Sequence, residues 1–108
     1  MPMKHLAEES CRPLPAGTPP LAQTDIDAGL AQLQGWEQRD GAICKRFSFR
    51  DFAQTMAFVN KVAGIAARED HHPEMQVGYD RCSITYSTHS VGGISRNDLV
   101  CAAKIEAL

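Results

Sequence analysis

Pro73 closes the longest periodic stretch of this chain and divides the sequence into two loosely similar halves. Proline has no N–H to donate, and its ring disfavours helical geometry at the residue before it, His72. Upstream, Asp51 reads as an N-cap. Phe52, Met56, Val59, Val62 or Ala63, and Ala66 follow as an apolar stripe that Phe58 and Ile65 widen. The pattern predicts a central helix running to about Arg68. It is followed at once by Asp70-His71-His72-Pro73-Glu74, two adjacent imidazoles held just past the helix end.

The flanking segments read as hairpins and shorter helices. Thr24 with Asp27 resembles a capping box, Ile26, Leu30 and Leu33 form one stripe, and Gly35 is placed to end that first helix. Gly29 weakens such a helix by about 1 kcal/mol relative to Ala, so packing must hold it. Trp36 to Phe49 reads as a hairpin around Asp40-Gly41, the dipeptide of a two-residue type I′ turn. In its second strand Ile43, Phe47 and Phe49 share a face with Lys45, whose stem can lie along apolar surface. Beyond Pro73, Met75, Val77 and Tyr79 alternate in one strand and Ile84 and Tyr86 in the next, which places Thr85, Ser87 and His89 on the opposite face. Gly92-Gly93 breaks that strand. Ser95 and Asp98 then form a second capping box, with Ile94 and Leu99 as its hydrophobic staple, and a last helix continues through Val100, Ala103 and Ile105.

The element order is α-β-β-α-β-β-α. It predicts an α+β fold: a four-stranded antiparallel sheet with three helices packed on one face. Residues 1–23 carry five of the six prolines and read as an irregular N-terminal arm, leaving 24–108 as a single α+β domain. A four-stranded sheet has open edges, which favours a homo-oligomer.

Charge and cysteine usage exclude several functions. A net charge of −2 provides no field to gather phosphate backbone, so nucleic acid is not an expected partner. No apolar run approaches the ~18 residues of a membrane span, and Met1 to His5 leads into Glu8 and Glu9 without an apolar signal region. Cys11, Cys44, Cys82 and Cys101 are scattered with no C-x-x-C, which is neither a disulfide framework nor a zinc ribbon and suits the reducing cytoplasm.

The remaining signal is imidazole. His71, His72 and His89 fall within a short span. As core histidines, His71 and His72 would be out of place beside Asp70 and Glu74. As metal ligands they are poorly spaced, because adjacent side chains diverge and no cysteine or second carboxylate cluster completes a set, so no metal is expected. Proton transfer near neutral pH suits them better. Asp98 has a structural role as the N3 residue of its capping box, and a helix N-terminus can also face a ligand. Pattern alone stops at a small α+β domain with a metal-free, imidazole-rich site.

His71-His72-Pro73, with Tyr79, His89 and Asp98 at their spacings, resembles the signature of the pterin-4a-carbinolamine dehydratases. Gly35-Trp36, Phe47-x-Phe49-x-Asp51-Phe52, Phe58-Val59-Asn60, Ser87-Thr88-His89, Gly92-Gly93-Ile94-Ser95, Asn97-Asp98 and the Cys11 to Pro20 lead extend the resemblance over nearly the full chain. It implies dehydration of 4a-hydroxytetrahydropterin to quinonoid dihydropterin, the step that recycles the pterin after aromatic amino-acid hydroxylation, with no cofactor. It also implies a homotetramer or homodimer and a functional link to an aromatic amino-acid hydroxylase. By the same resemblance His71 and His89 do acid–base work on the hydroxyl and His72 orients the pterin. Asp70, Pro73, Ser87, Thr88 and Asp98 contribute to substrate binding.

Two positions depart from the family. Its usual glutamate four residues before the first histidine is Ala67 here, and Glu69, turned by ~200° at ~3.6 residues per turn, is expected to point elsewhere. The aromatic residue often found after Pro-Glu is Met75, a softer surface for a ring. The rival reading is a dehydratase-like binding module, since animal relatives also serve as dimerisation cofactors of a transcription factor.

Overall fold

The structure, a computed structural model, describes residues 6–108. The Met1 to His5 segment, read above as lacking a signal, lies outside the described residues. Helix α1 (Gln23–Leu30) precedes the hairpin β1 (Glu37–Arg39) and β2 (Ala42–Ser48). Helix α2 (Phe52–Glu69), strands β3 (Glu74–Val77) and β4 (Arg81–Tyr86), and helix α3 (Arg96–Glu106) follow. The four strands form one antiparallel sheet in the order β1-β2-β4-β3, so the α+β architecture and its element order are as predicted.

Register explains why one face of the sheet carries the core. Ile43 lies opposite Tyr86, Phe47 opposite Cys82, and Met75 opposite Ile84. These residues pack with Ile26 of α1, Val62 and Ile65 of α2, and Leu99, Val100, Cys101 and Ile105 of α3. The alternate positions, Cys44, Arg46, Gln76, Ser83 and Thr85, line an open hollow on the other face. The turn at Asp40-Gly41 has φ of 52° and 76°, both left-handed, as a two-residue type I′ hairpin requires. Lys45 lies across the apolar face as expected. Its ammonium sits 4.8 Å from the Phe47 ring centre and bonds Glu106 at 2.8 Å.

Capping followed the sequence in two helices and not in the third. Asp51 Oδ1 accepts the Gln54 N–H at 2.9 Å, and Ser95 with Asp98 forms a complete capping box. The Thr24–Asp27 box does not form. Helix α1 starts after Ala22 with no side-chain cap, and Asp27 instead accepts from the Gln23 amide at 2.9 Å. The chain is already fixed at that point, because the Leu21 N–H donates to Ile94 O at 2.9 Å. Helix α1 ends at Leu30, short of Gly35, whose φ of +86° serves the turn into Trp36.

The buried face of α2 is rotated from the one predicted. Thr55, Val62 and Ile65 are its buried residues, whereas Phe52 is 49% exposed. A threonine occupies the inward position because its hydroxyl is doubly used, bonding Asp51 O and Tyr79 O, each at 2.9 Å. Hydrophobicity alone cannot register that. Tyr79 also lies past the end of β3, in the turn to β4.

Residues 6–22 contain a 3-10 turn at Leu6–Glu8 and otherwise no regular element. This arm packs on α3. Leu6 is buried in the core, Lys104 Nζ donates to Ala7 O at 2.8 Å, and Arg96 pairs with Glu9. Helix α3 is consequently buried on nearly every side. It packs against α1 at Gly29, where an added Cβ would lie 2.5 Å from Leu99 Cδ1 in a side chain with no exposed surface. Gly29→Ala is therefore expected to destabilise the protein by up to about 2 kcal/mol. Overpacking of roughly 1–3 kcal/mol outweighs the ~1 kcal/mol gain in helix propensity. A raised thermal midpoint in this variant would contradict that contact.

Candidate active site

The end of α2 positions the first histidine. Asp70 adopts the left-handed region, φ 53° and ψ 42°, which Asp tolerates better than most residues. With the N–H groups of Asp70 and His71 both on Ala66 O, the chain turns sharply out of the helix. His71 is thereby set against the first turn of α3. Its ring stacks on Tyr86 with centres 5.2 Å apart, and the Tyr86 hydroxyl donates to His71 O at 3.2 Å.

His71 Nε2 lies 2.6 Å from Asp98 Oδ1, and Asp98 has no exposed surface. The carboxylate divides its two oxygens. Oδ2 accepts the Ser95 N–H and the Thr88 hydroxyl, each at 2.8 Å, while Oδ1 is left for the imidazole. The Ser95 hydroxyl, 2.6 Å from Thr88 Oγ1, extends the network. A carboxylate is favoured here because the helix N-terminus offers free N–H groups and the positive end of its dipole. Asp98 thus caps α3 and holds His71 at the same time.

This pairing raises the His71 pKa above its ordinary value. The hydrogen bond to Asp98 is the largest cause and outweighs the opposing effect of burial. Because Nε2–H is committed to Asp98, Nδ1, which has no hydrogen-bond partner among the described residues, is the atom left to exchange a proton. His71 lines a cavity of about 330 Å³ with Asp70, Thr88, Ser90, Asn97, Glu69 and the arm residues Cys11 to Leu14. That is within the ~300–1,000 Å³ of small-molecule sites. Three larger hollows, of about 450, 510 and 750 Å³, are lined by no histidine, so chemistry and size point to different places. The titratable couple is the better guide.

The structure joins only part of the predicted set. His71, Thr88 and Asp98 form one network, Asp70 lines the same cavity, and Pro73 is buried. His72, Ser87 and His89 are exposed and make no hydrogen bond to that network among the described residues. Strand β4 ends at Tyr86, so the expected placement of His89 on its outer face does not hold. His89 opens a 3-10 turn, His89–Val91. Among the described residues no group of three or more His, Cys, Asp or Glu could hold a metal ion.

Sequence reasoning missed the other wall. Glu69, expected to point away, lines the cavity and accepts the Cys11 N–H at 2.8 Å, while Ala67 is exposed. The signal was present in the seven-residue steps Thr55, Val62, Glu69, which follow one face of α2. The Asn97 side chain clamps the Arg12 backbone, accepting its N–H at 3.0 Å and donating to its carbonyl at 2.8 Å. Nothing local in the sequence announces that contact.

Comparison with known proteins covers nearly the whole chain. The family profile described as pterin 4 alpha carbinolamine dehydratase matches residues 19–108. A protein of Nitrosospira multiformis is 50% identical over 103 residues, spanning 95% of this chain and 91% of its own. One from Nitrosomonas eutropha is 49% identical over 104 residues, spanning 95% and 92%. Both are named, provisionally, as pterin-4-alpha-carbinolamine dehydratases. Among solved structures, a transcriptional coactivator/pterin dehydratase from Brucella melitensis superposes with a TM-score of 0.78 at 34% identity, covering 82% of this chain and 96% of that one. A pterin dehydratase-like protein described as a RuBisCO assembly factor in the alpha-carboxysome gives 0.58 at 27% identity, covering 68% and 88%.

Proposed function

Because the chain belongs to the pterin 4 alpha carbinolamine dehydratase family, we propose that it removes water from a 4a-hydroxytetrahydropterin to give the quinonoid dihydropterin. The C4a–O bond breaks as the leaving oxygen takes a proton. N5 then loses its proton, and that electron pair forms the new C4a=N5 bond. The observation that carries this reading is the 2.6 Å couple between His71 and buried Asp98 on a cavity wall.

With Nε2–H held by Asp98, protonated His71 offers Nδ1–H to the leaving hydroxyl and, once neutral, offers Nδ1 as a base. Asp98 acts as a positioning residue that stabilises the imidazolium. His89 shares the acid–base work, and His72 orients the pterin ring. Thr88, Asp70 and Ser87 serve its polar edge, with Pro73 shaping the turn that presents them. The unpaired edges of β1 and β3 support a homodimer or homotetramer. Pterin recycling after aromatic hydroxylation in the cytoplasm is the setting this chemistry implies.

The test follows, by absorbance, the loss of freshly generated 4a-hydroxytetrahydropterin with wild-type protein and with Ala67→Glu. Acceleration by wild type is expected and would make a carboxylate at position 67 dispensable. Acceleration by Ala67→Glu alone would mean a site that has moved away from this substrate. No acceleration by either would overturn the enzyme reading and favour a binding module, the kind of role that the coactivator and assembly-factor names attach to the two solved relatives.

A further inference from the structure

The mechanism leaves two sulfurs unused. Cys11 Sγ and Cys101 Sγ lie 3.4 Å apart, joining the arm to α3 across 90 positions of sequence. We propose that Cys11 and Cys101 form an oxidant-responsive thiol pair whose disulfide locks the arm onto the cavity wall beside His71.

Three observations converge on this. The sulfurs are already in contact, and a bond of ~2.05 Å needs a closing movement of little more than 1 Å. Cys11 sits on a segment without regular structure, so it can make that movement. Access exists as well: Cys11 lines the cavity, whereas Cys101 is wholly buried behind it. The charge is favoured on the buried member of the pair: the hydrogen bond from Cys11 holds the Cys101 thiol below its ordinary value against burial, whereas the same contact, burial and Glu69 push the Cys11 thiol up. Cys11 therefore reacts by passing its proton to Cys101 across the 3.4 Å contact as its sulfur meets the oxidant. Cys82 is buried in β4 and Cys44 lies on the open sheet face, and neither has a thiol partner among the described residues.

With hydrogen peroxide as oxidant the step balances. Cys11 sulfur attacks one peroxide oxygen, the O–O bond breaks, and Cys11 sulfenic acid and water form. Cys101 sulfur then attacks the Cys11 sulfur, the S–O bond breaks, and a second water leaves with the disulfide formed. Two thiols and one peroxide become one disulfide and two waters.

The experiment uses the whole chain, fully reduced and then treated with stoichiometric hydrogen peroxide. Non-reducing peptide mapping should find Cys11 joined to Cys101, with the mass of two hydrogens lost and dithiothreitol restoring both thiols. Hydrogen exchange at the Cys11 and Arg12 amides should slow at least tenfold in the oxidised protein. In Cys101→Ala the bond cannot form, and Cys11 should be trapped as its sulfenic acid by a carbon nucleophile. Cys11 still free to alkylate in treated wild type, or a Cys44–Cys44 bond between chains in its place, would overturn the pair. A linked pair with unchanged exchange would overturn the lock. None of these readouts needs a pterin, so they stand or fall apart from the dehydratase reading.

Discussion

Asp98→Ala is expected to destabilise the protein by roughly 3 kcal/mol or more, a large share of the ~5–15 kcal/mol available to a domain. Three groups lose their acceptor at once: the Ser95 N–H, the Thr88 hydroxyl and the His71 imidazole. Loss of a cap costs about 0.5–2 kcal/mol, and each buried donor left unpaired adds ~1–3 kcal/mol. At ~4–8 °C per kcal/mol for a chain of this size, the thermal midpoint should fall by more than about 10 °C. Asp98→Asn separates the two roles of this side chain. An amide oxygen still accepts from Ser95 and Thr88, whereas the charge that raises the His71 pKa is gone. Because that pKa is raised in the folded protein, the stability it contributes is fully present below the unfolded histidine value of ~6.5 and is lost as pH rises through the folded value. Urea unfolding of wild type near pH 6 and near pH 9 should show this loss, and Asp98→Asn should lack it. An equal pH dependence in both proteins would sever the link between Asp98 and His71.

His71→Ala should leave the fold in place and lower the dehydration rate by ~10²–10⁴, the range for a positioned general acid or base. The buried carboxylate keeps two donors in this variant, so the thermal midpoint should fall less than in Asp98→Ala. The loss should fall on kcat. His89→Ala should also act on kcat, and His72→Ala chiefly on KM, since His72 orients and does not transfer a proton. Equal losses in both parameters for all three variants would refute this division. A His71→Ala protein as active as wild type would move the chemistry out of the cavity altogether.

Much of the architecture was legible because its signals are local. Asp40-Gly41 can form a type I′ turn with no help from the rest of the chain, and Ser95 with Asp98 closes a box within one helical turn. Strand alternation placed Ile84 and Tyr86 inward because a period of two leaves no other face for them. Helix faces were less secure. On α2, Thr55 sits inside and Phe52 is half exposed. Glu69 was set aside by its turn from position 67, yet it is Glu69 that lines the cavity and Ala67 that is exposed. The Thr24 box failed where a tertiary bond from Leu21 had already fixed how the chain enters α1.

Turn chemistry and periodicity by themselves determined the α+β class and the element order, and the motifs around His71-His72-Pro73, His89 and Asp98 carried the family resemblance. Only the folded chain decided that His71 meets Asp98 across 27 positions while His72 and His89 stay exposed, and that Cys11 meets Cys101 across 90. The physical reason is range. Caps and turns are closed by neighbours within about four residues. The meeting of a helix end with a helix start depends on sheet register and on the approach of α1 to α3 at Gly29, and such packing has no signature within any short window.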